Sequence, residues 1–436
     1  MKKMGIFIFS IVIVVEVVMG IFCIITKSNH QKLRNIIRIA ELIVFVILLL
    51  LKVINWNFSY YALAALLVLL AAMGAINLIR KKEVNIRYKT KSIVLKAIGM
   101  TLIFFVVILP AIIFPESQII GVTGEYQVAT EIYTYTDTNR VETFTDTGEN
   151  RMLNVQLWYP KNTDGLYPLV VFSHGGISDK SSNLSLYNEL ASNGYVVCSI
   201  NHTYHCLSTT DEDGDTISID KGYMKELSVE DAQSNRQQSY EYYKKWMNIR
   251  TGDINFVIDY ILAQVDDNNE DKVYKLVDKE KIGVMGHSLG GSAALGIGRI
   301  RDDVDAVIAL ESPFMYDIEG VEDGEFIFTD EDYPVPVLNV YSDTGWNILD
   351  KRLQYAANYA MLSDTDDTAF NVYISGVGHF TLTDLALTSP ILTRVLNGQK
   401  STTDTEYCLK TINKVSLEYL DCYLKGEGEF TSQGTY

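Results

Sequence analysis

A short serine-centred stretch constrains the fold of this chain more than any other part of its sequence. The segment "KIGVMGHSLGGSAAL", residues 281–295, begins as an apolar strand-like run and stops at Ser288. Residues from Leu289 onward have helical spacing, so the serine lies in a tight turn between a strand and a helix. Gly286 and Gly290 flank it because larger side chains there would collide with the neighbouring strand and helix. The pattern predicts a nucleophile elbow that lifts the serine hydroxyl clear of a sheet.

Strand-like and helix-like runs alternate on both sides of this turn, from about residue 125 onward. Several of the strand-like runs are continuously apolar, as expected when helices cover both faces of a parallel sheet. We therefore predict an α/β fold with a doubly wound, mostly parallel sheet. The predicted strands are 154–160, 168–176, 194–201, 281–288, 304–312, 334–342 and 369–376, and the clearest helices are 183–194, 248–265 and 289–300.

The first 115 residues have a different character. Four apolar runs, 4–25, 36–54, 60–79 and 93–114, each approach the roughly 20 residues that cross the hydrocarbon core of a membrane. The first run lacks an evident small-x-small cleavage site, so we interpret it as a membrane span. A cleaved signal peptide for the first run and a buried core helix for the third are the alternatives. We predict about four transmembrane helices.

The charged residues predict how such a region would be oriented. Residues 1–115 have a net charge of +11 and the remainder −28, which together give the −17 of the whole chain. The connections around 27–38 and 80–91 hold most of the positive charge, and basic connections favour the cytoplasmic side of a membrane. The chain after residue 114 is therefore expected on the extracytoplasmic side. The acidic second part also argues against a nucleic-acid partner, whose phosphates it would repel.

The domain organisation follows from these patterns. We predict a transmembrane region over 1–115, a linker over 116–124 and an α/β-hydrolase domain over 125–436, with a cap-like insertion near 203–247. The aromatic part of the insertion, "QQSYEYYKKWM", could cap a substrate cleft or pack onto the sheet. Its acidic part, "TTDEDGDTISID", departs from a calcium-binding loop and is typical of a hairpin turn. We predict no metal and no organic cofactor. The spacing of the five cysteines leaves disulfide pairing open, and the sequence leaves the oligomeric state open.

A serine hydroxyl is a poor nucleophile unless a base takes its proton, and one histidine is placed to do so. Of the six histidines only His379 follows Ser288, as the hydrolase order of serine, acid and histidine requires. It lies in "SGVGHFTL", just after the last apolar strand. Upstream, "FSHGG" ends an earlier strand in a glycine-lined turn. We predict that the backbone N–H groups of Gly176 and Leu289 form an oxyanion hole.

The acid that would orient His379 has two candidates. Glu311 in "VIALESPF" and Asp343 in "NVYSDTGW" both lie just past the end of a predicted strand, between Ser288 and His379. Strand position alone favours neither. In the commonest hydrolase pattern the acid follows the later strand by a few residues, and Asp343 comes slightly early for that.

Residues from about 125 to 425 resemble the platelet-activating-factor acetylhydrolase-like branch of the α/β-hydrolases. The resemblance rests on the order of "PLVVFSHGG", "ELASNGYVVCSINH", "IRTGDINFVIDYI", "KIGVMGHSLGG", "AVIALES" and "GHF". In that family the acid follows the strand after the nucleophile helix, within a leucine–aspartate pair. The matching residue here is Glu311, after Leu310, so a glutamate stands where the family has an aspartate. The resemblance favours Glu311 over Asp343 and implies short-acyl or phospholipid-like ester substrates.

Together these patterns predict a membrane-anchored, extracytoplasmic serine hydrolase that acts on carboxylic esters. Its expected partners are a small-molecule or lipid ester substrate and the lipid bilayer. One competing hypothesis is a non-catalytic sensor, or a transport-coupled membrane protein, that carries a hydrolase-fold domain. Among enzymes the rival is a peptidase that cleaves amides.

Overall fold

A computed structural model describes residues 4–80, 88–115, 119–267, 269–362 and 368–436. Two compact units are present, one formed by Met1–Gln118 with Leu387–Leu392 and the other by Ile119–Ala386 with Thr393–Tyr436. The helices are α1 (Met4–Ile25), α2 (Gln31–Leu50), α3 (Tyr61–Ile79), α4 (Thr90–Ile113), α5 (Leu184–Ser192), α6 (Lys221–Val229), α7 (Arg236–Asp266), α8 (Leu289–Ile300), α9 (Asp343–Trp346), α10 (Ala356–Met361), α11 (Leu385–Thr388), α12 (Pro390–Leu396) and α13 (Thr405–Leu420). The strands are β1 (Val128–Val141), β2 (Asn150–Pro160), β3 (Tyr167–Ser173), β4 (Val196–Asn201), β5 (Ser208–Thr210), β6 (Thr216–Ser218), β7 (Val277–His287), β8 (Ala306–Leu310), β9 (Ile318–Glu322), β10 (Glu325–Phe328), β11 (Val337–Tyr341), β12 (Ala369–Tyr373) and β13 (Gly434–Thr435).

The larger unit is built on one nine-stranded sheet in the order β1-β2-β4-β3-β7-β8-β11-β12-β13. Strand β2 pairs antiparallel with both β1 and β4, and the other neighbouring strands run parallel. Side chains alternate between the two faces of the sheet along each strand, and helices cover both faces. Leu169 and Val171 of β3 belong to a core shared with α7 and α8, whereas the ring of Phe172 contacts Tyr187 of α5 on the opposite face. The carboxyl ends of the parallel strands therefore meet at one edge, where ligands bind in such sheets.

The predicted α/β class and mostly parallel sheet are confirmed, and a strand overlaps each of the seven predicted runs. The first strand, β1, is not evident in the sequence because "VATEIYTYTDTNRV" is polar and contains no apolar run. Helix α7 begins at Arg236, well before the predicted helix, so the aromatic part of the insertion forms its first turns. Tyr243 and Trp246 are buried in the core, which supports packing onto the domain. The acidic stretch forms the hairpin β5–β6, as expected.

The helical unit has a helix at each of the four apolar runs, but the prediction of about four membrane spans is wrong, because in the described part of the chain only two of these helices are candidates for crossing a membrane. Within the described residues, Phe58–Ile79 and Thr90–Ile113 are long and apolar enough to cross a membrane, and Ile11–Ile25 is a shorter apolar helix. Helix α2 falls short because four charged residues lie within its first eleven positions, namely Lys32, Arg34, Arg38 and Glu41. Only 28% and 17% of the two long apolar segments are buried within the protein, so most of their surface faces outward. Most of the basic connection 80–91 and the first residues of the predicted linker 116–124 lie outside the described residues.

A buried ion-pair network joins the first two strands to α7. Arg151 of β2 donates through Nε and Nη2 to the two carboxylate oxygens of Asp253, at 2.6 and 2.7 Å, and through Nη1 to Glu142 at 2.9 Å. Arg140 of β1 also lies 2.9 Å from the Asp253 carboxylate. Arg151 is 4% exposed and Asp253 is fully buried. Because a buried charge without a partner is strongly destabilising, this pairing fixes α7 against β1 and β2.

The same carboxylate orients a chain of three side chains that we term the buried Ser-His-Asp array. His202 Nδ1–H donates to Asp253 Oδ2 at 2.9 Å, and the Ser173 hydroxyl donates to His202 Nε2 at 2.8 Å. Burial, together with the nearby Arg250, lowers the pKa of His202 to about 3, so the ring is neutral at ordinary pH. Ser173 ends β3 and His202 follows β4, so the array connects two parallel strands to α7.

The network predicts a pH-dependent loss of stability for Asp253→Asn. Burial opposes ionisation of Asp253, but its contacts with Arg151 and His202 outweigh burial and hold its pKa well below the usual range. Such a carboxylate stabilises the fold above the pKa of the unfolded chain, and this contribution is lost as the pH falls through the lowered pKa. We expect urea unfolding at pH 7 to give a free energy of unfolding lower by about 3–5 kcal/mol, because Arg151 loses its main partner.

The difference between the variant and the wild type should shrink only in strongly acidic solution, below about pH 4. Asp259→Asn is the matched control, since Asp259 lies on the same helix with its side chain 57% exposed and pairs with Arg301 at the surface. An equal destabilisation by both variants would contradict the role assigned to the buried carboxylate.

Candidate active site

The turn after β7 has the geometry that its glycines predict. Ser288 has φ 55° and ψ −127°, a strained backbone conformation for a residue with a side chain. A Cβ on Gly286 would overlap the backbone of Gly290, and a Cβ on Gly290 would overlap the carbonyl oxygen of Ser173. The N–H of Ser288 donates to the carbonyl oxygen of Leu310 at 2.9 Å, which fixes the turn against β8. The serine thus lies at the carboxyl edge of the sheet, immediately before α8.

Glu311 and His379 form a hydrogen-bonded pair at this edge. His379 Nδ1 lies 2.8 Å from Glu311 Oε1, and the carboxylate identifies Nδ1–H as the donor. The other carboxylate oxygen accepts from the backbone N–H of Ser342 at 2.6 Å. Burial opposes ionisation of Glu311, but the hydrogen bonds from His379 and Ser342 outweigh it and lower the pKa of this carboxyl. An ionised Glu311 leaves His379 Nε2 as the basic ring nitrogen.

The other candidate acid, Asp343, is engaged elsewhere. Its Oδ1 accepts from the Tyr373 hydroxyl at 2.6 Å and from the N–H of Gly376 at 3.0 Å. These contacts attach the start of α9 to the segment after β12. The structure therefore brings Glu311, and not Asp343, to the imidazole of His379.

His379 lies beside the elbow. Its ring centroid is 4.5 Å from that of His287, the residue before Ser288, and His287 Nε2 lies 3.2 Å from the His379 carbonyl oxygen. Burial, with a smaller effect of His379, keeps the pKa of His287 well below its usual value, so His287 is a neutral donor in this contact. Among the residues that the structure describes, Ser288 Oγ makes no hydrogen bond, with His379 Nε2 or any other atom. Catalytic hydrogen bonds are often long without substrate and tighten when it binds.

The two predicted oxyanion donors are the backbone N–H groups of Leu289 and Gly176. Leu289 is the first residue of α8, where N–H groups have no partner within the helix. Gly176 belongs to the segment 174–176 after β3, which we term the oxyanion loop. A Cβ on Gly175 would lie 3.1 Å from His287 Nδ1 and 3.5 Å from the Ser288 Cβ, so this loop adjoins the elbow. Within the described part of the chain neither N–H donates a hydrogen bond, so both remain available to a substrate oxygen.

No group of three or more His, Cys, Asp or Glu side chains placed to hold a metal ion occurs among the described residues. His202 belongs to the buried Ser-His-Asp array. His205 is also buried, and its Nδ1 accepts from Arg250 Nε at 3.4 Å. In the hairpin β5–β6, Asp211 accepts from the N–H groups of Asp213 and Asp215, as the side chain of a turn does.

Sequence reasoning missed the side chains that hold the oxyanion loop. Arg250 of α7 donates to the carbonyl oxygens of His174 and Gly175, and Tyr223 of α6 donates to that of Gly176. A signal for the first exists: in "NIRTGDINFVIDYI", Arg250 and Asp253 are three residues apart and so share one face of a largely buried helix. Tyr223 has no such signal, since it is one of many aromatic residues in the insertion.

Comparison with known proteins relates this chain to ester-cleaving enzymes. It is 23% identical over 286 residues to the platelet-activating factor acetylhydrolase of Cavia porcellus and 24% identical over 279 residues to that of Canis lupus familiaris. Each alignment covers 61% of this chain and only 59% of the relative. The chain shares its fold with a ferulic acid esterase from Streptomyces cinnamoneus, with a TM-score of 0.54, 20% identity, and coverage of 71% of this chain and 94% of that one.

The family profile described as platelet-activating factor acetylhydrolase, isoform II, matches residues 142–434. This match confirms the resemblance drawn from the sequence motifs. It covers the α/β unit from the end of β1 to the last strand. The chain therefore belongs to the platelet-activating factor acetylhydrolase isoform II family.

Proposed function

We propose that this chain is a serine hydrolase that cleaves carboxylic esters. The observation that carries the proposal is the hydrogen bond between His379 and the buried Glu311 carboxylate, beside the strained turn of Ser288. In this proposal Ser288 is the nucleophile and His379 is the general base and acid. Glu311 orients the imidazole of His379 and stabilises its positively charged form. Family membership and the esterase fold neighbour support the same reaction class.

In the proposed reaction, Ser288 Oγ attacks the ester carbonyl carbon while His379 Nε2 takes the hydroxyl proton. Glu311 holds Nδ1–H and stabilises the imidazolium that forms. The N–H groups of Gly176 and Leu289 receive the negative oxygen of the tetrahedral intermediate. The imidazolium then gives its proton to the leaving alcohol, and water deprotonated by His379 hydrolyses the acyl-serine. The products are the free alcohol and the free acid, and the serine is restored.

A short acyl group, carried by a phospholipid-like or other small ester, is the proposed substrate class. Support comes from two relatives that are named platelet-activating factor acetylhydrolases. Initial rates on matched esters with two-carbon and longer acyl groups test this assignment. A preference for long acyl chains would reject it, and equal rates on matched ester and amide substrates would favour the peptidase alternative.

We further propose that the helical unit anchors the enzyme in a membrane, with the α/β unit on the extracytoplasmic side. The outward-facing apolar surfaces of α3 and α4 support the anchor, since such surface is unfavourable in water. The orientation depends only on these two helices and the basic connection 80–91 between them, because basic connections stay in the cytoplasm. A membrane anchor would also place the active site near lipid esters.

Replacing Ser288 with alanine tests the enzymatic proposal. We expect kcat on short nitrophenyl esters to fall by about 10⁴-fold or more, because alanine has no hydroxyl with which to form the acyl-enzyme. A fluorophosphonate probe should label the wild type at Ser288, as shown by peptide mapping, and leave Ser288→Ala unlabelled. Ser292→Ala is the control, because Ser292 lies in the first turn of α8 and its buried hydroxyl donates to the Pro313 carbonyl oxygen. This variant should retain labelling at Ser288. Unchanged hydrolysis by Ser288→Ala would favour the non-catalytic sensor or transport-coupled alternative.

The identity of the acid predicts different effects for two conservative variants. Glu311→Gln should lower kcat by about 10²- to 10⁴-fold with little change in KM, since a neutral amide neither fixes the tautomer of His379 nor stabilises its charge. Asp343→Asn should lower kcat by less than about tenfold, because the Asp343 carboxylate bonds to Tyr373 and Gly376 and, among the described residues, makes no hydrogen bond with the His379 side chain. The same assay on both purified variants decides, with unfolding curves as the control for stability. The reverse order of effects would assign the acid to Asp343.

Labelling of whole cells tests the orientation. A cysteine added after Tyr436 should react with a membrane-impermeant maleimide, whereas a cysteine replacing the exposed Thr90, at the end of the basic connection 80–91, should react only after the cells are lysed. Cys422 is partly exposed, so the experiment begins from Cys422→Ser; the other four native cysteines are buried. Protection of the C-terminal cysteine in intact cells would reverse the proposed orientation.

A further inference from the structure

We propose that Tyr223 and Arg250 are positioning residues of the oxyanion hole, which hold the two peptide planes on either side of Gly176 and so direct its N–H toward the elbow. The inference rests on the proposed function, because it assigns these residues a role in the same reaction. Neither side chain belongs to the triad or supplies an oxyanion donor. Tyr223 lies in α6, within the insertion 203–247, and Arg250 lies in α7, which begins in that insertion.

The oxyanion loop needs such support because of its composition. Gly175 and Gly176 have no side chains to pack, and glycine has more backbone freedom than any other residue. An oxyanion donor must nevertheless point at the position that the negative oxygen occupies, about 3 Å away. A misplacement of about 1 Å can reduce a rate by as much as 10²-fold. The required rigidity must therefore come from contacts that other parts of the chain make with the loop backbone.

Arg250 provides the first of these contacts. Its Nη1 donates to the His174 carbonyl oxygen at 2.7 Å, and its Nη2 donates to the Gly175 carbonyl oxygen at 3.3 Å. The side chain is fully buried, at 0% exposure. His174 Nδ1–H donates to the same Gly175 oxygen at 2.7 Å. The carbonyl group of Gly175 is therefore held toward the interior of the domain by two donors.

The direction of this carbonyl sets the direction of the oxyanion donor. The Gly175 carbonyl and the Gly176 N–H belong to one trans peptide unit, in which the two groups point to opposite sides. With the oxygen held by Arg250 in the interior, the N–H of Gly176 points away from the guanidinium. The loop also adjoins Ser288, since a Cβ on Gly175 would lie 3.5 Å from the serine Cβ. Arg250 thus acts on the donor through the peptide unit and does not contact the reacting atoms.

Tyr223 fixes the second peptide plane. Its hydroxyl donates to the carbonyl oxygen of Gly176 at 3.0 Å. Because the planes before and after Gly176 are both held, the φ and ψ angles of this glycine are determined. The Tyr223 ring stacks on His205 with centroids 3.7 Å apart and an interplanar angle of 8°, and the His205 carbonyl oxygen accepts from Arg250 Nη2 at 3.1 Å. The two contacts therefore form one continuous support.

Two matched tyrosine variants test the inference. Tyr223→Phe removes only the hydroxyl that bonds to Gly176 and leaves the ring stack in place. Tyr243→Phe is the control, because Tyr243 is equally buried and its hydroxyl donates to Glu230, away from the oxyanion loop. We expect Tyr223→Phe to lower kcat on a short nitrophenyl ester by about 3- to 30-fold with KM changed less than about twofold. Tyr243→Phe should leave both constants within about twofold of the wild type.

A trifluoromethyl ketone inhibitor supplies a readout that a merely structural role would not move. It forms a reversible adduct with the serine, in which the former carbonyl oxygen becomes an oxyanion and occupies the oxyanion hole. If Tyr223 positions that hole, the inhibition constant of Tyr223→Phe should rise by the same factor by which kcat/KM falls. A wild-type inhibition constant for Tyr223→Phe, or an equal loss in Tyr243→Phe, would overturn the inference.

Arg250→Lys provides a second, independent variant. Lysine keeps the charge but cannot present the planar pair of donors that reaches two carbonyl oxygens at once. We expect kcat to fall by about 10²- to 10³-fold, with a matching rise in the inhibition constant for the ketone. A folded Arg250→Lys with wild-type kcat would overturn the role of Arg250. Failure of the proposed function is distinguishable, because the wild type itself would then neither hydrolyse the ester nor bind the ketone through Ser288.

Discussion

Backbone contact between the β7–α8 turn and the end of β3 fixes how far apart the proposed nucleophile and the oxyanion loop lie at the carboxyl edge of the sheet. A Cβ on Gly290 would overlap the carbonyl oxygen of Ser173, so the first turn of α8 touches the last residue of β3 without an intervening side chain. The nucleophile and the oxyanion loop are on either side of that contact. Their separation is therefore fixed by main-chain atoms, which cannot change rotamer, and the remaining freedom lies in the two glycines of the loop and in the imidazole of His379.

Short-range patterns predicted most of the fold and supplied the central residues of the proposed site. The elbow is readable because strand, serine, glycines and helix follow one another within 15 residues, and chain order alone singles out His379. Arg250 and Tyr223 escaped because their importance lies in contacts with backbone atoms 75 and 47 positions away, which no local pattern encodes. Two of the four expected membrane spans are not among the candidates. Helix α2 begins with charged residues within its helical bounds, which a prediction from the length of an apolar run overlooked, and the first run counts only as the shorter apolar helix Ile11–Ile25 among the described residues.

The surroundings of Glu311 accommodate a long side chain. The family resemblance implies an aspartate at this position, and a glutamate carries one more methylene group. Glu311 adopts φ 51°, and a Cβ on Gly345 would lie 2.8 Å from its Cγ, so the longer side chain fits because α9 has a glycine at the point of contact. The backbone N–H of Ser342 then fixes the carboxylate. Glu311 is thus accommodated by Gly345 and held by Ser342, two residues more than 30 positions later in the chain. Local sequence similarity alone does not reveal these contacts.

The buried Ser-His-Asp array carries a lesson about how active sites are recognised from coordinates. Ser173, His202 and Asp253 repeat the atom order of a hydrolytic triad, with distances of 2.8 and 2.9 Å, yet all three are sealed from solvent, whereas the His379 side chain is 21% exposed. A template search based on hydrogen-bonded atoms alone would retrieve this chain for the wrong serine. Exposure of the histidine and the strained backbone of Ser288 distinguish the proposed active site from the buried array, although the serine–histidine hydrogen bond is present only in the array among the described residues. In this molecule one serine–histidine–carboxylate set links strands in the buried core, and a similar set at the edge of the sheet is accessible to a substrate in the proposed function.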